Sequence, residues 1–385
     1  MDRYHAMQGE VAEWRRHLHR NPEIGFDLEE TAAFVTAQLT SFGINHIETG
    51  IAKSGIVAVI QGKGGDGPTI GLRADMDALP ILEASGKPWA SGVAGKMHGC
   101  GHDGHTAMLL GAAKCLAEER DFRGAVALIF QPAEEILPSG ALKMIQEGIM
   151  ERFGISRVFS MHNSPGLPVG SFAIRPGPIL ASLDEFDLII RGRGGHAARP
   201  SETVDPIPIA GQVLCSLQTL VSRNADPIEA LVMSITQIHA GTAYNIIPDH
   251  AELAGTVRTY SPALQDLAER RILEIARGVA RASGGDAELD YRRDTPVTFN
   301  HAEETGLAIR AAAALVGPGA VNDQMRPRMG TEDFAHMLKV RPGALIYLGN
   351  GSTPLLHNPG YDFNDEALPY GIGYWVHLVK AALPA

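Results

Sequence analysis

The chain has 385 residues, of which 45% are hydrophobic and 20% are charged, a composition typical of folded globular proteins. Its formal net charge of -11 argues against a nucleic-acid partner, because phosphate binding requires a basic surface. The sequence contains no apolar run of about 18 residues, so we expect no membrane span or membrane partner.

The cysteine content indicates a reducing compartment. The chain has three cysteines, Cys100, Cys115 and Cys215, and two of them lie in helix-like apolar stretches. An odd number of scattered cysteines is typical of free thiols rather than of a disulfide framework. The first residues also lack the apolar segment of a signal peptide, so we expect a cytoplasmic protein.

Strand-like and helix-like stretches alternate from the amino terminus to about residue 183. This alternation predicts a sheet that is covered by helices on both faces. Polar clusters follow the predicted strands, which is where open α/β sheets carry their binding sites. The predicted strands are 54–62, 69–79, 124–135 and 157–163, and the predicted helices are about 27–42, 104–120 and 139–150.

A different order, β-α-β-β-α-β, begins near residue 184, and the first pattern resumes after it. This order is typical of a self-contained unit with two helices on one face of a sheet. We therefore predict an α/β protein of two domains. Residues 1–183 and 292–385 form a domain with a mixed, mainly parallel sheet, and residues 184–291 form an inserted ferredoxin-like domain.

The segment "MHGCGHDGH", residues 97–105, concentrates one thiol and three imidazoles where a helix is predicted to begin. The glycines permit unusual backbone angles, and a helix start favours a thiolate. Cys100 alone could be a buried core residue, since free cysteine is commonly buried. Together with His102 and Asp103, it indicates either metal ligands or a cysteine nucleophile.

Three further segments carry candidate ligands. Glu134 and Glu135 directly follow a strand that Pro132 ends, His162 ends another strand, and His357 lies in a loop bounded by Gly and Pro. One cysteine, three histidines and one glutamate are donors that suit zinc, manganese, cobalt or nickel. Five ligands exceed what one tetrahedral ion takes, so we expect two divalent ions per subunit.

Eight motifs, in this order, resemble the bacterial N-acyl-amino-acid amidohydrolases, a group that includes hippurate hydrolase, aminoacylases and plant auxin-conjugate hydrolases. This group is a branch of the co-catalytic metallopeptidases, and the resemblance extends from about residue 13 to residue 366. The motifs are "RRHLHRNPEIGF", "GLRADMDALP", "HGCGHDGHTAMLLGAAK", "FQPAEE", "GRGGHAARP", "YNIIPDHAELAGTVRT", "GTEDF" and "LHNPGYDFND".

The resemblance implies a role for each matching residue. It implies that Glu134 is the general base, that Asp77 orients a ligand, and that His196 stabilises the oxyanion, in dimeric members from the partner subunit. Asn245 and Arg258 match residues that hold the carboxylate end of the substrate. The metal ligands implied by the resemblance are Cys100, His102, Glu135, His162 and His357.

The resemblance also implies the reaction, which is hydrolysis of the amide bond of a small N-acyl amino acid. A water between two divalent ions loses its proton near neutral pH, the resulting hydroxide attacks the carbonyl, and Glu134 serves first as base and then as acid.

The inserted domain is expected to act as a lid and to dimerise, giving a homodimer or a dimer-based oligomer. We expect one of His98 and His105 to support a ligand and the other to lie on a helix face.

Several alternatives remain open from the sequence. Within the same family, the protein could be an N-acetyl-diaminopimelate deacetylase or a short-peptide carboxypeptidase. Outside it, a cysteine hydrolase using Cys100 and His102, or a non-catalytic metal-dependent binding protein, would carry the same cluster. Two departures from many relatives, Ser201 and Asn358, each stand where a histidine is found, and Ser201 bears on substrate specificity.

Overall fold

The computed structural model describes every residue from Met1 to Ala385, and the chain forms two compact units. None of the ten helices is long and apolar enough to cross a membrane. Whether the units act as a catalytic domain and a lid domain with the predicted bounds stays a prediction. The first unit consists of Met1–Ile179, Thr298–Arg326 and Glu332–Ala385, and the second of Leu180–Val297 and Pro327–Thr331.

Helices and strands alternate along most of the chain. The helices are α1 (Asp2–Arg20), α2 (Glu29–Ser41), α3 (His102–Glu119), α4 (Gly140–Gln146), α5 (Ile149–Arg152), α6 (Pro206–Thr219), α7 (Pro262–Ala282), α8 (Ala302–Val316), α9 (Phe334–Val340) and α10 (Leu368–Ala382). The strands are β1 (His46–Ile51), β2 (Gly55–Gln61), β3 (Thr69–Asp75), β4 (Ala125–Gln131), β5 (Ile155–Ser164), β6 (Phe172–Ala173), β7 (Gly177–Leu180), β8 (Leu183–Arg191), β9 (Gly195–His196), β10 (Leu231–Ala240), β11 (Ile246–Ile247), β12 (His250–Thr259), β13 (Asp286–Thr295), β14 (Thr298–Asn300), β15 (Val321–Asn322) and β16 (Gly343–Gly349).

The first unit is built on an eight-stranded sheet in the order β1-β2-β4-β3-β5-β16-β6-β15. Its centre, β4-β3-β5-β16, is parallel, whereas β1 and β2 are antiparallel to their neighbours. Every residue of β4 is buried, as expected for a nearly continuous apolar strand covered on both faces. The predicted α/β class with a mixed, mainly parallel sheet is confirmed.

Helices cover this sheet, and three of them, α1, α4 and α5, differ from the prediction. Helix α3 is almost entirely buried and packs against α1 and α10. The predicted helix 139–150 is wrong as a single element, because Gly148 adopts φ +79° and separates α4 from α5. The first helix, α1, was not predicted, although it buries Val11, Trp14 and Leu18 on one face.

The second unit has a four-stranded antiparallel sheet in the order β10-β12-β8-β13, with α6 and α7 packed on it. The chain order β8-α6-β10-β12-α7-β13 confirms the predicted ferredoxin-like arrangement. Helix α7 buries a residue at nearly every fourth position, which forms one apolar stripe facing the sheet. The residues of this stripe are Leu264, Ala268, Ile272, Ala276 and Ala280.

Candidate metal centre

The ends of three parallel strands bring predicted site residues to one edge of the large sheet. Strand β3 ends at Asp75, β4 ends at Gln131, and β5 carries His162 two residues before its end. Because these strands are parallel, the segments that follow β3 and β4 start from the same edge. Those segments carry Asp77 and Glu134.

A tight turn at Cys100, Gly101 and His102 begins helix α3. Gly101 has φ +92°, a left-handed conformation that glycine adopts without steric cost. A Cβ atom at this position would overlap the side-chain amide nitrogen of Asn163 and lie 2.6 Å from the hydroxyl oxygen of Tyr361. The turn therefore requires glycine, both for its backbone angle and for the space around it.

Hydrogen bonds fix which nitrogen of two predicted histidine ligands is available. His102 Nδ1 lies 2.8 Å from the carbonyl oxygen of Asp77, and His162 Nδ1 lies 2.7 Å from that of Asn163. A carbonyl oxygen only accepts, so Nδ1 carries a proton in both rings, and Nε2 is the nitrogen that can bind a cation in exchange for any proton it holds. His162 Nε2 lies 3.4 Å from Cys100 Sγ.

Asp77 holds the paired glutamates through their backbone. One carboxylate oxygen of Asp77 accepts the N–H of Glu134 at 3.0 Å, and the other accepts that of Glu135 at 3.1 Å. Asp77 itself is buried. Ala133, which directly precedes Glu134, adopts a positive φ of +55°. Both glutamates are thus fixed to the backbone segment that also binds His102.

The predicted ligands share overlapping groups of donor atoms, each group lying within 4.8 Å. One group contains Cys100, His102 and His162, and another contains Cys100, Glu135 and His357. His357 Nε2 lies 3.2 Å from Glu135 Oε1. A third group joins His102 to Glu134 and Glu135, so all five predicted ligands and the predicted base lie together. Their individual roles stay predictions.

The chemistry of this cluster fits divalent cations. His102 Nε2 is buried and has no hydrogen-bond partner within the protein, which is costly for a polar atom unless another group satisfies it. Imidazole nitrogens, a thiol and a carboxylate are the donors that zinc and neighbouring transition metals prefer. The residues present therefore fit a metal site.

The proton affinities of the cluster are strongly perturbed. Burial and the nearby charges of Glu332 and Glu135 raise the pKa of Glu134 well above its ordinary value. Burial likewise raises the pKa of Cys100. Although burial lowers the pKa of His102, the carboxylate of Asp75 raises it to about 10. Such opposed shifts within one cluster are typical of functional sites.

Protein groups contact both ring nitrogens of His105. Its Nδ1 lies 2.6 Å from Asp75 Oδ1, and its Nε2 accepts the backbone N–H of Asn163 at 3.0 Å, so both nitrogens are engaged. His98 does not lie on a helix face as expected. It precedes α3, is fully buried, and has no hydrogen-bond partner for either ring nitrogen.

The sequence reading missed a buried charge network behind the cluster. Arg73 is fully buried and pairs with Asp75 at 2.8 Å, Glu332 at 3.0 Å and Asp333 at 2.7 Å. The available signal was an arginine inside the apolar strand "TIGLRAD", since an unpaired guanidinium is almost never buried. Arg73 thus holds three buried carboxylates together, and its single charge offsets only part of theirs.

The three remaining predicted residues lie in the second unit. His196 pairs with Ile246 in the short two-stranded antiparallel sheet of β9 and β11, and the Asn245 carbonyl accepts the N–H of Ala197 at 3.0 Å. This pairing makes His196 and Asn245 neighbours. Arg258 lies on β12 and is half-buried; its one hydrogen bond donates to the carbonyl of Met329, at 3.2 Å. Burial alone lowers the pKa of Arg258.

The chain is similar to known proteins along most of its length. The family model described as Peptidase family M20/M25/M40 matches residues 71–381. The chain is 39% identical over 379 residues to the N-acetylcysteine deacetylase of Bacillus subtilis, covering 98% of each chain. It is 40% identical over 372 residues to the hippurate hydrolase of Campylobacter jejuni, covering 97% of this chain and 96% of the relative.

A solved structure extends the similarity to the whole fold. A Bacillus subtilis protein described as a dinuclear metal binding peptidase from the M20 family superposes with a TM-score of 0.87 at 36% identity. The alignment covers 98% of this chain and 99% of that one. The candidate ligands described above thus lie in a chain that resembles a dinuclear metalloprotein along its whole length.

Proposed function

The chain belongs to peptidase family M20/M25/M40 and is a metal-dependent amidohydrolase, and we propose that its substrates are N-acyl amino acids, which it cleaves into a carboxylic acid and a free amino acid. The names of the deacetylase and hippurate hydrolase relatives support this substrate class. The observation that carries the proposal is the cluster of five donor residues with Glu134 beside it. A small-molecule amide is the corresponding ligand.

We propose that Cys100, His102, Glu135, His162 and His357 hold two divalent ions of manganese, zinc, cobalt or nickel. The buried Nε2 of His102, which has no hydrogen-bond partner, supports this assignment, as does the 3.2 Å distance between Glu135 Oε1 and His357 Nε2. Divalent ions bound there supply Lewis acidity toward a carbonyl and a nucleophile from water at neutral pH. Asp77 contributes by binding His102 through its carbonyl and both glutamates through its carboxylate.

Glu134 moves the proton in the proposed reaction. Its backbone is fixed by Asp77, which leaves the carboxyl group free to act. A carboxyl whose pKa is raised above its ordinary value is a stronger base, which can accept a proton from the attacking water and return it to the leaving nitrogen. One group thereby serves as base in the first step and as acid in the second.

His196, Asn245 and Arg258 are proposed to contact the substrate. His196 Nδ1 accepts the N–H of Ala198 at 3.1 Å, so the neutral ring carries its proton on Nε2. That Nε2–H can donate to the oxygen that gains charge in the tetrahedral intermediate. Arg258, whose side chain gains no stabilisation from a charged neighbour, offers two parallel hydrogen bonds to the substrate carboxylate, and Asn245 offers another.

We further propose that the inserted domain acts as a lid and forms a homodimer. Strand β10 is an edge of its sheet, and an edge strand presents unpaired backbone groups. Three large apolar side chains are exposed here: Ile238 on this strand, and Tyr244 and Ile246 after its end. Sedimentation should give a dimer that Ile238→Lys weakens; an active wild-type monomer would contradict this part of the proposal.

The decisive experiment measures turnover of metal-reconstituted protein on a panel of N-acyl amino acids. The panel contains benzoylglycine, acetylated amino acids, N-acetyl-diaminopimelate and indole-acyl conjugates, with dipeptides as the carboxypeptidase alternative. Chelation should abolish turnover, and Mn²⁺, Zn²⁺, Co²⁺ or Ni²⁺ should restore it. Activity that survives chelation would instead support a Cys100 nucleophile, and turnover by Glu134→Ala at the wild-type rate would refute the assigned base.

A further inference from the structure

Asn163 connects the three segments that carry the candidate cysteine and histidine ligands. It follows His162 in β5, and both its backbone and its side chain are fully buried and hydrogen-bonded. Its side-chain Nδ2 donates to the Cys100 carbonyl at 2.6 Å and lies 3.1 Å from His105 Nε2. Its Oδ1 accepts the hydroxyl of Tyr361 at 2.8 Å.

The Cys100 carbonyl determines the orientation of that amide, because it only accepts and Nδ2 must therefore face it. Nδ2 also faces His105 Nε2, and Oδ1 is left to accept the hydroxyl of Tyr361, which holds the amide from its other end. With the amide rotated by half a turn, its oxygen would face both acceptors and the hydrogen bond to the Cys100 carbonyl would be lost. Tyr361 is fully buried and lies four residues after His357, in the last ligand-bearing segment.

The side chains of Asn163 and Tyr361 also pack against the turn at Gly101. The space that a Cβ of Gly101 would need is filled by the Asn163 amide and the Tyr361 hydroxyl. The position of the Cys100 backbone is therefore set by one charge-neutral network of hydrogen bonds. A buried network of this kind specifies a single arrangement when every member is satisfied.

We propose that Asn163 and Tyr361 are positioning residues that hold the Cys100 thiol in place for a divalent cation. This inference rests on the proposed metal site, but it concerns two fully buried residues outside the proposed set of ligands. Residues that orient metal ligands typically contribute about 10–100-fold to metal affinity. Tyr361→Phe, which removes one oxygen and keeps the ring, is therefore expected to weaken cation binding by that factor.

The test titrates chelator-treated protein with Co²⁺ and follows the sulfur-to-cobalt charge-transfer absorption, which reports bonding to Cys100 directly. Tyr374→Phe is the matched control, because Tyr374 is equally buried and its hydroxyl has no hydrogen-bond partner. Tyr361→Phe should bind Co²⁺ about 10–100-fold more weakly, with a reduced charge-transfer band, while Tyr374→Phe should match the wild type.

Asn163→Asp provides a second variant of nearly identical shape. It places a carboxylate oxygen against the Cys100 carbonyl and His105 Nε2, so its Co²⁺ affinity should fall further than that of Tyr361→Phe. If the wild-type protein shows no charge-transfer band, the proposed metal site itself is wrong. If the wild type shows the band and Tyr361→Phe keeps the wild-type affinity, even with a lower melting temperature, the positioning role is wrong and the metal site stands.

Discussion

His19 and Asp103 form a buried ion pair, with His19 Nδ1 lying 2.8 Å from Asp103 Oδ2. Glu83 faces the other ring nitrogen of His19 at 3.3 Å, and Arg15 approaches Asp103 at 3.5 Å. Burial lowers the pKa of His19, but the charge and hydrogen bond of Asp103 outweigh it and raise the pKa to about 9. The folded protein therefore binds the proton of His19 more tightly than the unfolded chain does.

This pair predicts a loss of stability at alkaline pH. The folded pKa of about 9 lies above the ordinary value of 6.5, so the stabilisation is complete below pH 6.5 and disappears as the pH rises through 9. The difference corresponds to about 3 kcal/mol in the free energy of unfolding. Urea unfolding of metal-free protein between pH 6 and pH 10 measures it. His19→Gln should flatten this dependence, and His17→Gln, an exposed position on the same helix, should not.

Replacing Asp77 should impair the site without removing a proposed ligand. Asp77→Asn keeps the shape but gives one of the two glutamate N–H groups an amide nitrogen instead of an acceptor. We expect metal affinity or turnover to fall by about 10–100-fold, measured as metal content after dialysis and as kcat. Asp121→Asn, at an exposed position of the same unit, is the control. Wild-type metal content and kcat in Asp77→Asn would exclude the assigned role.

Gly101→Ala should be far more costly than an equivalent change elsewhere. Gly95 also has a positive φ, of +77°, but no atom lies within 4 Å of the position of its missing Cβ. Gly95→Ala should therefore cost only the backbone strain of about 1 kcal/mol, whereas Gly101→Ala adds a steric overlap and should cost about 2–4 kcal/mol. Denaturant unfolding of the metal-free proteins compares them. Equal destabilisation by both substitutions would contradict the close contact at Gly101.

Arg258→Ala should discriminate between substrates with and without a free carboxylate. Loss of a charge-assisted hydrogen-bonded pair costs about 1.5–3 kcal/mol, or roughly 10–100-fold in kcat/KM. The loss should fall mainly on KM for an N-acyl amino acid and should vanish for its carboxamide. Arg191→Ala, in the same unit and already paired with Glu288, should leave both substrates unaffected. An equal loss on acid and carboxamide would remove Arg258 from carboxylate recognition.

The sequence predicted which candidate residues lie close together where local pattern and strand order decide it. Cys100, Glu135 and His162 each follow or end an apolar strand or begin a helix, so their approach follows from the parallel sheet. The sequence could not show which of His98 and His105 contacts the site. That depends on atoms distant in the chain, Asp75 Oδ1 and the Asn163 N–H, which contact the ring of His105.

Long-range polar pairing was the part that sequence reasoning could not reach. Tyr361 lies 198 positions from Asn163, and nothing in either local sequence specifies a bond between them. Arg73 and Asp333 are similarly remote, at 260 positions. Helix boundaries failed for a different reason, since Gly148 ends α4 only because it adopts a left-handed conformation that the apolar periodicity does not encode.

The pairing of β16 with β5 has a consequence for synthesis on the ribosome. All four strands of the second unit's sheet have been synthesised once Thr295 has been added. One edge of β5, in contrast, has no pairing partner until Gly343–Gly349 have been synthesised. Until those residues emerge, the nascent first unit exposes a long apolar strand edge, which is a template for aggregation. Translation arrested before residue 343 should thus yield a protease-resistant second unit attached to a first unit that requires a chaperone.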